Sequence, residues 1–276
     1  MACVYILRCA DDTYYTGWTN DLTVRLTAHN RGRGGAKYTR SRRPVQLVYC
    51  EVCPNRSEAM KRETQIKSLT REQKQSLVDT MPDKEPLTIY DTDERVCGTV
   101  ARALVHRLGL RHHVCHLWLL QEKNGVLGHW IQQRAWDRPL YPGLYDLAAT
   151  GHMNPDETAA EAVLRECAEE IGVRFAAEQV TEIGTVEQKY ARPDGGFDHE
   201  RVYVFAIRVD QDPAFSIGSE VCRMIWVPLE KFGEVVDGVP CLILEQESIP
   251  SQQFCCLHRA EWELLRQYLG YTGEPE

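Results

Sequence analysis

The chain has 276 residues, 43% of them hydrophobic, and this length exceeds the usual size of a single core, so we expect two domains. Residues 1–78 carry 14 Lys and Arg against 7 Asp and Glu, whereas the rest carries 18 against 33; the basic part suits a polyanion and the acidic part suits a metal. The eleven cysteines are irregularly spaced, which argues against a disulfide scaffold. No signal peptide or membrane span is evident. The sequence therefore predicts a reducing, cytoplasmic location.

The first part of the chain predicts a small sheet with helices. Two β-rich runs, residues 3–8 and 13–18, are separated by the acidic turn Asp11-Asp12, which is typical of a hairpin. The elements that follow, in chain order, are a short helix capped by Asn20 or Asp21, a basic glycine-rich loop at 31–43, a strand at 45–52, and helices that start at Asn55 and Thr70.

One acidic residue is misplaced for a purely structural helix. On the predicted helix 56–69, Glu63 lies four residues after Ala59 and three before Ile66, so it points toward the apolar side. A buried carboxylate is costly without a partner. We therefore expect either a basic side chain or a metal to meet Glu63.

The basic loop is a candidate surface for nucleic acid. Its cations accompany Tyr38, a mixture that suits phosphate contacts and one stacked base. The candidate binding residues are Arg31, Arg33, Lys37, Arg40, Arg42 and Arg43. This pattern predicts salt-sensitive binding to DNA or RNA with little sequence preference; a solvated basic loop with no specific partner is the alternative.

These residues together resemble the GIY-YIG nuclease superfamily, specifically its small single-domain members. VYIL holds the tyrosine of the first motif, Tyr5, and YTG stands where the second motif reads YIG, with Tyr15 as its tyrosine. The resemblance implies that Tyr5, Tyr15 and His29 assist deprotonation of the attacking water, that Arg25 steadies the scissile phosphate, and that Glu63 holds one metal. The first motif lacks its glycine, and Thr16 replaces isoleucine.

A polar segment with two prolines, residues 80–88, predicts a linker between a first domain at 1–79 and a second at 89–276. In the second domain, 87–90 and 96–104 look extended, and four further segments, 116–121, 129–134, 201–209 and 224–227, look like strands. Residues 245–250 are expected to be irregular, and 259–269 form an amphipathic helix. We therefore predict a layered α/β fold for the second domain.

Residues 151–173 carry the strongest local pattern. Thr158 and Glu161 form a capping box and Gly172 is suited to end the helix, which gives about three to four turns between them. The helical period places Ala160, Leu164, Cys167 and Ile171 on one apolar stripe. It places Glu166, Glu169 and Glu170 on a different arc.

Carboxylates at these spacings repel one another unless something positive lies among them. A hard divalent cation such as Mg²⁺ or Mn²⁺ meets that need, bridges to substrate phosphates and activates a water. Arg165, one turn before Glu169, can orient a carboxylate. The alternative for a glutamate-rich helix is a merely solvated acidic face.

The segment resembles the complete Nudix box, with Gly151, Glu157, Arg165, Glu166, Glu169, Glu170 and Gly172 at its fixed offsets. The resemblance implies an α/β/α sandwich with a mixed sheet and a loop-helix that binds metal and a diphosphate. It also implies that Glu166, Glu169 and Glu170 are metal ligands or base, with Glu169 and Arg165 catalytic, and that Gly151 supplies a carbonyl ligand.

More narrowly, the segment resembles the branch related to isopentenyl diphosphate isomerase, through 105–107, 116–118 and 142–152. Thr150 stands where the true isomerases have a catalytic cysteine, which favours hydrolysis over isomerisation. A histidine metal site from His112, His113, His116 and His152 is a lesser possibility. Glu220 and Glu200 compete as a further ligand or base.

The sequence therefore predicts a fusion of a GIY-YIG-type domain and a Nudix hydrolase that cleaves small-molecule diphosphates. One rival keeps the Nudix enzyme but makes the first domain an inert nucleic-acid-binding module. The other makes the second domain an isomerase or a ligand sensor. The sequence does not predict an oligomeric state.

Overall fold

The computed structural model describes residues 2–31, 34–81 and 84–271, and these fall into two compact units. The first comprises residues up to His113 together with 154–156 and 188–200; the second comprises 114–153, 157–187 and the residues from Arg201 onward. Both units combine strands and helices, as the predicted α/β class requires. Within the described residues, no helix is long and apolar enough to cross a membrane.

The first unit is built on a central, buried strand. Strand β1 (Ala2–Cys9) pairs antiparallel with β2 (Tyr14–Thr19) on one side and with β3 (Val45–Cys53) on the other. Four helices accompany these strands: α1 (Leu22–Asn30), α2 (Lys37–Arg40), α3 (Arg56–Ser68) and α4 (Arg71–Asp79). Because β1 lies between two partners, nearly all of its side chains are buried.

The predicted helix starts of this unit are confirmed by their capping bonds. Asp21, rather than Asn20, accepts a bond from the Val24 backbone N–H at the start of α1. Asn55 caps α3, and Thr70 forms a reciprocal capping box at the start of α4. These features are local in the sequence, which is why spacing alone could find them.

Three further elements belong to the first unit: β4 (Pro86–Tyr90), β5 (Val96–Ala101) and α5 (Arg102–Leu108). Strand β5 pairs parallel with β3 and antiparallel with β4, so it extends the predicted three-stranded sheet. The prediction of extended chain through residue 104 is wrong beyond Ala101, because α5 begins there and ends at Gly109 in the left-handed conformation. The predicted domain boundaries stay a prediction; residues 86–88 of the predicted linker lie in β4.

The second unit is organised around β6 (His112–Lys123), whose side chains alternate between two cores. Its neighbours are β7 (Val126–Arg134), β8 (Tyr145–Leu147), β9 (Ala149–His152), β10 (Thr181–Ala191), β11 (Phe197–Val209) and β12 (Val221–Pro228). Strand β6 pairs with β7, β9 and β11, and β7 also pairs with β8 and β12.

Three helices cover the two faces of this sheet. Trp118 and Leu120 point into a core that α7 (Leu229–Val236) and α8 (Arg259–Tyr268) complete. Leu117 and Leu119 point into the other core, completed by α6 (Ala159–Glu166). This is the predicted α/β/α sandwich. The predicted irregular segment is in part regular, since β13 (Cys241–Ile243) pairs with β14 (Ser248–Pro250).

Candidate active sites

The acidic helix begins and ends as its sequence predicts. Thr158 and Glu161 form the capping box at the start of α6, and Gly172 closes the segment with φ of +69°. Between them, α6 passes at Cys167–Ile171 into a single π-helical turn. Such turns insert one extra residue and are common at functional sites.

The predicted apolar stripe is partly wrong. Cys167 and Ile171 are buried as expected, but Ala160 is exposed and Leu164 is only half-buried. The buried side of the helix is instead formed by Ala162 and Val163 with Cys167 and Ile171. The burial of the helix follows from the sheet that it faces, which its own periodicity does not reveal.

This shift in the buried face carries two carboxylates inward. The side chain of Glu166 is 13% exposed, and Glu170 is 6% exposed, whereas Glu169 is 61% exposed. The prediction that all three carboxylates lie on an arc well away from the buried stripe is therefore wrong for Glu166 and Glu170, which face the sheet. Burying two carboxylates on one helix is costly, and sites that tolerate such a cost are commonly functional.

The Glu166 carboxylate lies directly against Gly151 in β9. A methyl group at position 151 would come within 2.0 Å of both the Glu166 carboxyl carbon and one of its oxygens. No side chain fits between the strand and this carboxylate, so Gly151 is required by close approach rather than by a turn. The Gly151 carbonyl oxygen accepts a weak bond from the Cys115 thiol at 3.6 Å.

Arg165 supplies a positive charge among the carboxylates. Its guanidinium binds both Glu157 oxygens, at 2.8 and 3.0 Å, and also contacts Glu166 at 2.7 Å and Glu169 at 3.2 Å. It further donates to the His152 carbonyl at 2.8 Å, and the Glu157 contact is the main cause of its raised pKa. Repulsion within the acidic helix is thus relieved in part by Arg165, so repulsion alone does not demand a metal.

Glu170 is in a different electrostatic situation. One of its oxygens accepts bonds from the Gln132 amide at 3.0 Å and the Thr150 backbone N–H at 3.1 Å, both neutral donors. Burial, with repulsion from Glu166 next, raises the pKa of the Glu170 carboxyl to about 8. Near neutral pH this group therefore holds a proton unless a cation replaces it.

A second polar constellation lies in the first unit, around Tyr5. The Arg25 Nε–H donates to the Tyr5 hydroxyl oxygen at 3.0 Å, and that hydroxyl is 2.9 Å from His29 Nε2. The Tyr15 ring lies 5.0 Å from the His29 ring. The structure thus brings together four of the five predicted residues of this site.

The proton positions of this constellation follow from Thr39, which the sequence prediction missed. The Thr39 hydroxyl donates to the Ala36 carbonyl at 3.0 Å, so toward His29 Nδ1, 2.8 Å away, it acts as the acceptor. His29 therefore carries its proton on Nδ1, and its Nε2 accepts from Tyr5. Burial, then the charges of Arg25 and Arg43, lower the pKa of His29 to about 4, which keeps the ring neutral.

Glu63 is met by a basic side chain, one of the two partners that its position demands. Its side chain is 18% exposed and pairs with Lys67 on α3 at 2.9 Å. Gly17 of the second motif is also explained, because a methyl group there would come within 2.5 Å of the Tyr5 hydroxyl. Thr16 beside it is buried in β2.

Comparisons with known proteins identify both domains. The profile of the GIY-YIG catalytic domain matches residues 1–76, and that of the NUDIX domain matches residues 109–241. A UPF0213 protein of Clostridium perfringens is 56% identical over 82 residues, which are 30% of this chain and 87% of that protein. Residues 1–76 therefore form a GIY-YIG domain, and residues 109–241 form a NUDIX domain. The chain is a fusion of a GIY-YIG domain and a Nudix hydrolase domain, and divalent metal ions are the general cofactor of the latter.

Solved structures also resemble the NUDIX domain. A MutT protein from Methanosarcina mazei Go1 has 22% identity and a TM-score of 0.41, covering 57% of this chain and 95% of its own. A MutT/nudix family protein from Enterococcus faecalis has 20% identity and a TM-score of 0.36, and the match spans 42% of this chain and 43% of that one. The narrower resemblance to the isomerase branch stays a prediction.

The predicted nucleic-acid residues of the GIY-YIG domain have different surroundings. Arg42 pairs with Asp11 at 2.8 Å and lies over the Tyr38 ring at 4.2 Å, while Arg43 donates to the His29 carbonyl. Arg31, Lys37 and Arg40 are exposed. Arg33 lies outside the described residues. Two of the predicted cations therefore support the domain's own structure, which leaves the exposed ones as better candidates for phosphate contacts.

The histidines that the sequence suggested for a single metal site have different partners. His113 is 2.9 Å from Glu94 and stacks on Tyr90, and His112 lies 3.5 Å from Glu200. Of the two competing carboxylates, Glu220 pairs instead with Arg138, at 2.7 Å.

His116 of the NUDIX domain contacts groups that the sequence prediction missed. His116 Nδ1 is 2.9 Å from Glu261, and the same oxygen is 2.8 Å from His258 Nδ1. His258 also contacts Asp146, at 3.1 Å. A His and a Glu three residues apart at the start of a helix were the only local signal for this cluster.

Proposed function

We propose that the NUDIX domain hydrolyses a diphosphate linkage in a small molecule, of the nucleoside diphosphate-X type or related, with Mg²⁺ or Mn²⁺ as its metal. The observation that carries the proposal is the inward-facing pair Glu166 and Glu170. Burial, with repulsion from Glu166 next, raises the pKa of Glu170, and Gly151 leaves no space for a side chain between Glu166 and the strand.

The donors fit a hard divalent cation. Glu166, Glu169, Glu170 and the Gly151 carbonyl offer only oxygen atoms, the ligand type that Mg²⁺ and Mn²⁺ prefer. A bound cation would polarise the diphosphate and acidify the attacking water. Its charge would also let Glu170 ionise near neutral pH, which the protein alone does not permit.

The remaining groups have supporting parts in this proposal. Arg165 holds Glu166 in place through its bond to one oxygen, and it is itself held by both oxygens of Glu157. Glu169, exposed and 3.2 Å from Arg165, is free to reach solvent and is our candidate for the base that accepts a proton from water. Glu170, buried and with a raised pKa, is its competitor.

The test uses a panel of nucleoside, sugar and isoprenoid diphosphates with Mg²⁺ or Mn²⁺. We expect release of phosphate or a monophosphate, and we expect Glu169→Gln and Glu170→Gln to lower it by orders of magnitude. Glu161→Gln, on the same helix but engaged only in the Thr158 cap, is the matched control and should keep most activity. A rearranged product with its diphosphate intact would instead establish the isomerase, and binding without turnover would establish a sensor.

For the GIY-YIG domain we propose metal-dependent cleavage of nucleic acid. The chain of hydrogen bonds from Arg25 through Tyr5 to His29 supports it, because Nε2 of the neutral His29 ring accepts from the Tyr5 hydroxyl and fixes its orientation. The Tyr5 oxygen can then accept a hydrogen bond from the attacking water and orient it, while Arg25 remains charged beside the phosphate. Glu63 is the proposed metal ligand, in exchange for its bond to Lys67.

A plasmid-nicking assay tests this activity. Wild-type protein with Mg²⁺ or Mn²⁺ should nick, and Glu63→Ala should not. Glu58→Ala is the control, since Glu58 lies on the same helix and pairs with Lys61 in a more exposed position. If wild type and Glu63→Ala nick equally, the nuclease proposal fails; if neither nicks but both bind in a low-salt gel shift, the inert nucleic-acid-binding module is correct.

A further inference from the structure

We propose that His116, His258 and Glu261 form a second metal site in the NUDIX domain, one that takes Zn²⁺ or a similar late first-row divalent cation. The three side chains come from β6, from the residue that precedes α8, and from the first turn of α8. One ligand atom of each lies within 4.8 Å of the others, and all three residues are buried. The carboxylates of the acidic helix take no part in this site.

The convergence on a single oxygen is the first argument. The Nδ1 atoms of His116 and His258 both point at the same oxygen of Glu261, at 2.9 and 2.8 Å. Each imidazole nitrogen carries either a proton or a lone pair, so this arrangement requires two protons or one cation. A tetrahedral zinc ion with bonds of about 2.0–2.2 Å holds its ligand atoms roughly 3.3–3.5 Å apart, an expansion of about half an ångström from the observed spacing.

Asp146 provides the second argument. It lies on the far side of His258 and accepts from Nε2 at 3.1 Å, and it also accepts the Leu147 backbone N–H at 2.9 Å. A histidine that binds metal through one ring nitrogen usually donates its other N–H to a carboxylate in this way, which fixes the tautomer. Asp146 thus leaves Nδ1 of His258 as the atom that faces the ligand position.

Charge is the third argument. Glu261 and Asp146 bring two formal negative charges to the buried cluster. A divalent cation held by His116, His258 and Glu261 would offset them, whereas an uncompensated buried charge is costly.

The surroundings favour nitrogen-binding cations. The two imidazole rings lie 5.3 Å apart at 87°, beside the core of the sheet that contains Trp118 and Trp262. Two imidazoles and a carboxylate suit Zn²⁺, Co²⁺ or Fe²⁺ rather than Mg²⁺. His258 also holds φ of +46°, a left-handed conformation that a non-glycine residue keeps only where its surroundings impose it.

A metal ion at this site would hold α8 against the strands that carry the hydrogen-bond donors of Glu170. His116 is the cross-strand partner of Thr150, and Asp146 is that of Gln132. Thr150 and Gln132 are the residues that donate to Glu170. The role is therefore structural support for the neighbouring active site.

The test is Co²⁺ binding to the reduced, metal-stripped full chain in the presence of excess Mg²⁺. We expect one Co²⁺ per chain with the intense visible bands of tetrahedral coordination, displaced by Zn²⁺. Glu261→Gln and His258→Gln should abolish the bands, whereas Glu263→Gln, on the exposed side of α8, should keep them. Zn²⁺ at about 100 times its Kd should raise the Tm of wild type by about 5–10 °C.

The Glu166→Gln variant distinguishes this site from the acidic helix and should keep both the bands and the Tm shift. Should Glu261→Gln fail to fold, an anomalous-difference map of wild-type crystals at the zinc edge decides the matter, with a peak expected between His116, His258 and Glu261. Absence of tetrahedral bands in wild type, bands that persist in folded Glu261→Gln, or no peak at this position would each overturn the proposal.

Discussion

The substitution Gly151→Ala probes the contact between strand and carboxylate most sharply. The new methyl group would lie 2.0 Å from the carboxyl carbon of Glu166, whereas carbon atoms in ordinary contact are about 3.5 Å apart, so the carboxylate must retreat by about 1.5 Å. Metal coordination tolerates deviations of only about 0.2 Å. We expect diphosphate hydrolysis to fall by about 100-fold or more in kcat/KM.

The Tm of the Gly151→Ala variant should change far less than its activity, because Arg165 keeps its two bonds to Glu157 when Glu166 moves. The assay is phosphate release on the best substrate of the panel, with the Tm measured in parallel. Gly34→Ala is the control, since a methyl group there meets only the Ala28 side chain at 3.8 Å. A folded Gly151→Ala variant with activity within about threefold of wild type would refute the reasoning, because misplacement on this scale costs far more.

Three other outcomes follow from the same geometry. Tyr5→Phe removes the hydroxyl that links Arg25 to buried His29, so it should lower the free energy of unfolding, measured by chemical denaturation, by about 1–3 kcal/mol. It should also abolish nicking. The control Tyr49→Phe removes a hydroxyl that bonds Glu51 and should leave nicking intact. The pKa of Glu170 is about 8 in the folded chain and about 4.5 in the unfolded chain, so the carboxyl loses its proton at lower pH when the chain is unfolded. As pH rises from about 4.5 to 8, metal-free wild type should therefore lose stability relative to Glu170→Gln. Parallel curves of Tm against pH for the two proteins would contradict this. Charge reversal at the exposed loop residues Arg31, Lys37 and Arg40 should weaken the salt dependence of nucleic-acid binding, as measured by gel shift. The slope of the logarithm of the association constant against the logarithm of salt concentration should fall by roughly one for each phosphate that the protein no longer neutralises. An unchanged slope would show that these residues do not contact nucleic acid.

Features encoded locally could be predicted from the sequence. The sequence predicts the caps at Asn55, Thr70 and Thr158 and the helix end at Gly172, and it narrows the first cap to Asn20 or Asp21, because each depends on residues within one helical turn. The α/β class followed from the order of the elements.

Features that depend on tertiary packing could not. The sequence placed Ala160 and Leu164 inward on the acidic helix with Cys167 and Ile171, yet the sheet buries Ala162 and Val163 with that second pair and brings Glu166 and Glu170 inward. Hydrophobic periodicity assumes that charged residues face water, and it fails where packing places them inside. The close approach of Glu166 to Gly151 is likewise invisible along the chain.

The His116 cluster shows the limit most clearly. Glu261 meets His116 across 145 residues, Asp146 meets His258 across 112, and none of Asp146, His258 and Glu261 was predicted to act. In the same way, Thr39 fixes the protons on His29 from a helix that the sequence showed only as part of a basic loop. Pairings of this kind require the fold itself.

Calorimetric titration with Mg²⁺ tests the central claim, that the buried carboxylates hold a divalent cation, more directly than any activity assay. Because the pKa of Glu170 is raised to about 8, binding at pH 7 should expel close to one proton per chain, visible as a heat that changes with the ionisation enthalpy of the buffer. Glu166→Gln should lose this signal, and Glu161→Gln should retain it, since Glu161 serves the Thr158 cap. No Mg²⁺ binding to wild type, or binding without proton release that is unchanged in Glu166→Gln, would contradict the account.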